Sequence, residues 1–214
     1  MNVDVYNKVK KLADKYAEEL KNQVDLRIEE MKLDDTSHYL LYRVLGVTSE
    51  EGNLIDLYQN KGRFLYKYAG AFLEEAAVLC IKHNYAYASK VKIQNTIGVR
   101  PKTFEIDCLV DNLAHEIKWR DATTDGDHIT KEHTRVKVIS DKGYIPIRVM
   151  FYYPQRTQAQ RIQDTLKTLY QGIGGRYYYG DAAWRYIEEF TGINLLEILE
   201  CIAQSRSDDI SGNL

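Results

Sequence analysis

Residues 103–121, TFEIDCLVDNLAHEIKWRD, decide the fold of this 214-residue chain. They read as two short strands joined by a tight turn at Asp111-Asn112. In the first strand Phe104, Ile106, Cys108 and Val110 fall on one face, with Glu105, Asp107 and Asp111 on the other. In the second, Ile117 and Trp119 alternate with Glu116, Lys118 and Arg120. A two-residue turn sets Val110 opposite Leu113, which places Asp107 across from Glu116 and Glu105 across from Lys118. On the reverse face the same register matches Ile106 with Ile117 and Phe104 with Trp119.

Two carboxylates opposed on neighbouring strands, with Cβ atoms about 5 Å apart, repel each other unless a cation lies between them. Hard oxygen ligands of this kind suit Mg²⁺, with Mn²⁺ as a substitute, and not zinc. Lys118 emerges on the same face two residues past Glu116. Asp107, Glu116 and Lys118 are therefore the candidate catalytic residues, the first two as metal ligands.

The flanking sequence supplies helices and further strands. Residues 3–31 carry apolar side chains at helical spacing from Val5 to Met31, opposite a charged face. A short helix over residues 39–45 ends at Gly46, and Thr48-Ser49-Glu50-Glu51 has the form of a capping box opening a helix to about Gln59. Residues 62–83 predict a separate helix with Glu74 and Glu75 in its middle. On a helical wheel Glu75 borders the apolar stripe and Glu74 points nearer to solvent. Either could lean into the carboxylate site, or the two form a solvated acidic pair. Residues 85–97 alternate and predict the first strand of a sheet.

A helix capped by Asp127 or Thr130 runs to about Asp141, and residues 144–153 form a nearly continuous apolar strand. Strand, helix, strand over that distance is a crossover, so this strand runs parallel to the one bearing Glu116. Helices follow at residues 157–170, 181–190 and 195–204, with residues 205–214 as a frayed tail. Gly172-Ile173-Gly174-Gly175 follows a helix and lacks a phosphate loop's Lys-Ser/Thr ending, so it reads as a helix stop. Arg176-Tyr177-Tyr178-Tyr179 reads as an aromatic corner or a nucleic-acid contact.

The fold class expected is α/β (α+β): a mixed sheet of about four strands flanked by helices, with helical additions at both ends. It divides as one domain into a helical part (1–61), a core (62–170), closing helices (171–205) and a tail (206–214). Lys and Arg number 29 against 31 Asp and Glu, a net charge of −2 that excludes a strongly basic nucleic-acid coat. Cys80, Cys108 and Cys201 are scattered without a zinc spacing and are expected to be reduced and buried, as in a cytoplasmic protein. No apolar run reaches membrane length, so no membrane partner is expected.

Asp107, a spacer of eight residues, then Glu116-Ile117-Lys118 resembles the motif of the PD-(D/E)XK nuclease superfamily over residues 62–153. Within it, EIKWRDATTDGDHITKEHTR is most similar to the ApaLI-like type II restriction endonucleases. One departure is Ile106, where members usually carry proline before the first aspartate. The resemblance implies a restriction-endonuclease-like core and Mg²⁺-dependent hydrolysis of double-stranded DNA at a short palindrome by a homodimer. It implies that Asp107, Glu116 and the Ile117 carbonyl ligate the metal, with Glu74 or Glu75 serving a second one. Glu74, following Gly70-x-x-Leu, matches the superfamily's habit better. Residues 120–128 would lie against DNA, with Arg120 on guanine, Asp121 or Asp125 on cytosine and Thr123 and Thr124 on thymine methyls. His128 belongs to the same stretch, while Lys131, His133 and Arg135 would hold phosphates. Two other readings share these residues: a repair or junction-resolving nuclease of the superfamily, and a non-catalytic DNA-binding or interaction domain whose carboxylates form salt bridges.

Overall fold

The computed structural model describes residues 2–120 and 126–211, the side chains of 126–128 and 208–211 excepted. The elements run α1 (Val3–Met31), α2 (Tyr39–Val44), α3 (Ser49–Asn84), β1 (Ser89–Gln94), β2 (Thr103–Val110), β3 (Leu113–Arg120), α4 (Gly126–Asp141), β4 (Ile145–Tyr152), α5 (Thr157–Gly172), β5 (Arg176–Tyr179), α6 (Asp181–Thr191) and α7 (Leu195–Ser211). This is a mixed α+β fold on a five-stranded sheet of order β1-β2-β3-β4-β5. The first three strands are antiparallel neighbours, whereas β3, β4 and β5 are mutually parallel. Helix α4 makes the crossover expected between β3 and β4, and α5 makes the next one.

Two compact units make up the chain: Met1–Lys10 with Leu73–Leu214, and Lys11–Phe72. In the first, β4 is buried along nearly its whole length, as a strand covered on both faces must be. One face of the sheet packs on α4 and α5, with Phe104, Ile106 and Ala114 against Val138 and Ile139, and Tyr177 against Ile162 and Leu166. The other face meets α6, where Phe151 packs on Trp184 and His115 on Tyr186 and Phe190. In the second unit the expected capping box is present: the Glu51 amide donates to Thr48 Oγ1 at 3.1 Å and the Thr48 amide to Glu51 Oε2 at 2.9 Å. The aromatic face of α2 lies on α3, with Tyr42 against Gly52 and its hydroxyl donating to Asp56 at 2.9 Å. The opposite face of α2 is left to solvent.

Several boundaries differ from expectation. The helices expected at residues 48–59 and 62–83 are one element, α3. An interior glycine costs a helix only about 1 kcal/mol, too little for Gly62 to end it. The first strand is shorter than expected, and α7 continues to Ser211, where a frayed tail from residue 205 was expected; 212–214 lie outside the described residues. Arg176–Tyr179 is a fifth strand, with Tyr178 stacked on Tyr186 at 4.2 Å. Three consecutive tyrosines carry no alternation, so periodicity could not mark it. The preceding glycines do end a helix: Gly174 has φ 75°, and a Cβ on Gly175 would come within 2.7 Å of the Pro146 carbonyl of β4. Cys80 and Cys108 are buried free thiols, while Cys201 is exposed, contrary to expectation.

Candidate active site

The β2–β3 turn holds two residues, with Asp111 at φ 51°, and Val110 does pair with Leu113. From there the ladder continues through Leu109–Ala114 to Cys108–His115 and stops. On its other edge β2 pairs with β1 on both sides of that point, Ser89 with Leu109 and then Val91 with Ile106 and Ile93 with Phe104, while the expected Ile106–Ile117 and Phe104–Trp119 pairs do not form. Glu105 likewise meets Lys90 at 2.9 Å and Lys92 at 3.6 Å, in place of Lys118. Asp107 and Glu116 are next in the β2–β3 register, so they stand where the two strands part. The Asp107 carboxylate takes over there from the backbone, accepting the Ile117 amide at 2.8 Å.

The parting has a local cause. Ser89 pairs with Leu109 but Val91 with Ile106, two steps on β1 against three on β2. Strand β2 therefore carries one extra residue at Asp107-Cys108, a β-bulge. The bulge breaks the strict alternation expected for this strand: Leu109, not Cys108, joins Phe104 and Ile106 in the core under α4. A bulge bends its strand and re-aims one side chain, and here that side chain is Asp107.

Asp107 and Glu116 are both buried, at 5% and 4% exposure. The Lys118 ammonium lies 2.7 Å from Glu116 Oε1 and 3.6 Å from Asp107 Oδ2. Burial, and then the charge of Glu116, push the Asp107 carboxyl well above the usual carboxylate range, against the pull of Lys118. Burial acts on Glu116 in the same direction, but the charges of Lys118, Arg135 and Arg148 outweigh it and hold this carboxyl low. Burial likewise opposes the charge on Lys118, and the two carboxylates overcome it, so its pKa is raised.

Helix α3 adds Glu74, whose charge also acts on Asp107 and whose carboxylate meets Lys90 at 3.1 Å. Glu75 is exposed and lines a cavity of about 310 Å³ with Lys8, Lys82 and His83. The helical wheel had these two the other way round.

Helix α4 contributes a second tier that the sequence reading missed. Arg135, expected to hold phosphate, turns instead into the site and pairs with Glu116 Oε1. Its Nε lies 3.4 Å from Glu132, one helical turn earlier. Glu132 is buried and receives Arg148 from β4 at 3.0 Å and the Tyr170 hydroxyl from α5 at 3.3 Å. Arg148 is the parallel-register partner of Glu116 and is itself 1% exposed. A lone arginine inside the apolar strand of residues 144–153 was the available signal, because a charge is seldom buried there unless paired.

Of the residues expected to face DNA, Arg120 is exposed at the end of β3 with its guanidinium over the Trp119 ring, and Lys131 and His133 are exposed on α4. Asp121, Thr123, Thr124 and Asp125 lie outside the described residues, as does the side chain of His128.

Among the described residues no three His, Cys, Asp or Glu side chains stand together as a metal cluster; Asp107 and Glu116 are a pair. The pair nevertheless suits a hard divalent cation: its donors are all oxygen, and Glu116 and Glu74 load Asp107 with buried negative charge. No described helix is long and apolar enough to cross a membrane.

No curated protein and no solved structure matches the chain. A family model does, that of the ApaLI-like restriction endonucleases, over residues 1–204. With that coverage, extending across the bulged hairpin, its carboxylate pair and the helices on both faces of the sheet, the chain belongs to the ApaLI-like restriction endonuclease family.

Proposed function

We propose that this restriction endonuclease is a type II, Mg²⁺-dependent enzyme that cuts double-stranded DNA at a short palindrome. The observation that carries the reading is the convergence of Asp107, Glu116 and Lys118 where β2 leaves β3. Asp107, Glu116 and the Ile117 carbonyl hold the cation, and Glu74, not Glu75, is the acidic residue of α3 that assists. When bound, Mg²⁺ or Mn²⁺ polarises the scissile phosphate and lowers the pKa of water beside it. Lys118, within reach of both carboxylates, would orient the attacking water and offset charge gathering on the phosphate oxygens. Arg120 and the residues after it reach the base edges, and Lys131 and His133 the backbone.

Plasmid DNA incubated with Mg²⁺ yields discrete fragments, and EDTA stops the reaction. Cutting confined to branched or damaged substrates would replace this reading with the junction-resolving one.

A palindrome calls for a twofold dimer. The second copy is assigned to the outer face of α2 and the adjoining stripe of α3. Leu41, Val44 and Leu45, with Leu54, Ile55 and Tyr58, repeat at helical spacing and are 48–80% exposed. At roughly 100 Å² per fully exposed apolar side chain these six present about 400 Å². That is close to the apolar share of the ~800 Å² a partner contributes to a stable interface. Arg43 and Glu50 at its edge supply both signs of charge, so two copies can pair without like-charge repulsion. Leu41→Glu with Val44→Glu converts a dimer into a folded monomer by sedimentation velocity. A variant that stays dimeric places the interface elsewhere.

A further inference from the structure

The site is neutralised by its own side chains. Asp107, Glu116 and Glu132 face Lys118, Arg135 and Arg148, three carboxylates against three cations in a buried space. A divalent cation brought onto Glu116 adds two positive charges where the dielectric is low, and the next carboxylate, Glu74, is itself held by Lys90 at 3.1 Å. One resident cation must therefore give way. Arg148 is held by Glu132 and is 1% exposed, so it stays. Lys118 reaches both carboxylates and belongs to the chemistry proposed above. Arg135 remains: it takes the same Glu116 oxygen as Lys118, its side chain is 21% exposed, and its α4 backbone is anchored elsewhere, by Val136 and Val138 in the core. Its second partner, Glu132, is already served by Arg148 and Tyr170, so losing Arg135 does not strand that carboxylate.

We propose that Arg135 is the counter-ion of Glu116 in the metal-free protein, and that it yields Glu116 to the divalent cation while its guanidinium passes to a DNA phosphate. Arg135 is thus a positioning residue with two successive partners, which ties metal occupancy to the presence of DNA. Arginine suits the exchange, because its planar fork matches carboxylate and phosphate alike. The proposal rests on the metal-dependent nuclease reading.

The test is Mn²⁺ binding to the full chain without DNA, followed by calorimetry. Arg135→Ala binds Mn²⁺ at least about tenfold more tightly than wild type, since a competing charge has left the ligand. Arg135→Lys, which keeps the charge, stays within a few-fold of wild type. Arg135→Gln repeats the gain if the alanine variant folds poorly. With cleavage measured at saturating Mn²⁺, Arg135→Ala is slower despite its tighter metal, because the phosphate has lost its partner. Tighter metal with slower cutting is a combination that a merely structural role does not produce. Unchanged or weaker Mn²⁺ affinity in folded Arg135→Ala and Arg135→Gln overturns the proposal and leaves the nuclease reading standing. If neither wild type nor variants bind Mn²⁺, the metal-dependent reading itself falls.

Discussion

Asp107→Asn and Lys118→Ala each lower DNA cleavage at saturating Mg²⁺ by at least about 10³-fold, while DNA affinity stays at the wild-type level or tightens. The two losses have different physical sources. Asp107 is the carboxylate that the β2 bulge turns out of the strand, and asparagine has about half of its oxygen-donor capacity and none of its charge. Asparagine still accepts the Ile117 amide, which alanine would leave buried without a partner at a cost of about 1–3 kcal/mol. The asparagine variant therefore separates chemistry from folding. Lys118→Ala removes the ammonium that bridges Glu116 and Asp107, and with it the charge facing the phosphate. Asp107→Asn lessens repulsion of the DNA backbone and is the variant expected to bind more tightly, while in both variants the exposed Arg120, Lys131 and His133 are untouched, so binding survives. Fragment yield on plasmid DNA measures the first quantity and fluorescence anisotropy on a short duplex the second. Wild-type cutting by either folded variant would leave the hairpin carboxylates as a salt-bridged structural feature.

Arg148→Ala destabilises the protein by about 3–5 kcal/mol, because it leaves Glu132 buried without its principal counter-ion. For a chain of this size that lowers the melting temperature by roughly 10 °C. The effect is large because neither partner can reach water: Arg148 is 1% exposed and Glu132 4%. The Tyr170 hydroxyl at 3.3 Å donates a hydrogen bond to Glu132 but carries no charge, and Arg135, 3.4 Å from Glu132, is already paired with Glu116. Removing both charges together behaves differently. Arg148→Met with Glu132→Gln recovers most of the loss, since a buried pair contributes little beyond its own desolvation. A single variant that melts within about 1 °C of wild type would show that water reaches this pair in solution. The double variant also reports on function: Glu132 no longer meets Arg135 through charge, yet Asp107, Glu116 and Lys118 are intact, so cleavage persists at a reduced rate.

Local chemistry made much of the site legible. Asp107, Glu116 and Lys118 come from one hairpin, so turn length and alternation were enough to bring them close. What alternation could not show is the bulge. It arises from the pairing of β2 with β1, a strand that enters the hairpin's own pattern nowhere. The same holds for the choice between Glu74 and Glu75, one residue or 100° apart on α3. A wheel can rank their burial only if the packed face is known, and Lys90 of β1 decides it. Arg135 was expected on a phosphate and Glu132 was not singled out, because the groups that hold them, Glu116 and Arg148, come from other strands.

The antiparallel hairpin, the parallel crossover to β4, the long first helix and the closeness of Asp107, Glu116 and Lys118 all follow from periodicity and short-range geometry. Family membership was readable from residues 107–135 for the same reason, the motif being contiguous. Packing between distant elements set the rest: the bulge at Asp107-Cys108 where the β2–β3 ladder ends, β5 at the edge of the sheet, and Arg135 on Glu116 beside the Glu132–Arg148 pair. Each of these rests on contacts between elements far apart in the chain. A buried charge is placed by the groups that surround it, not by its neighbours in sequence.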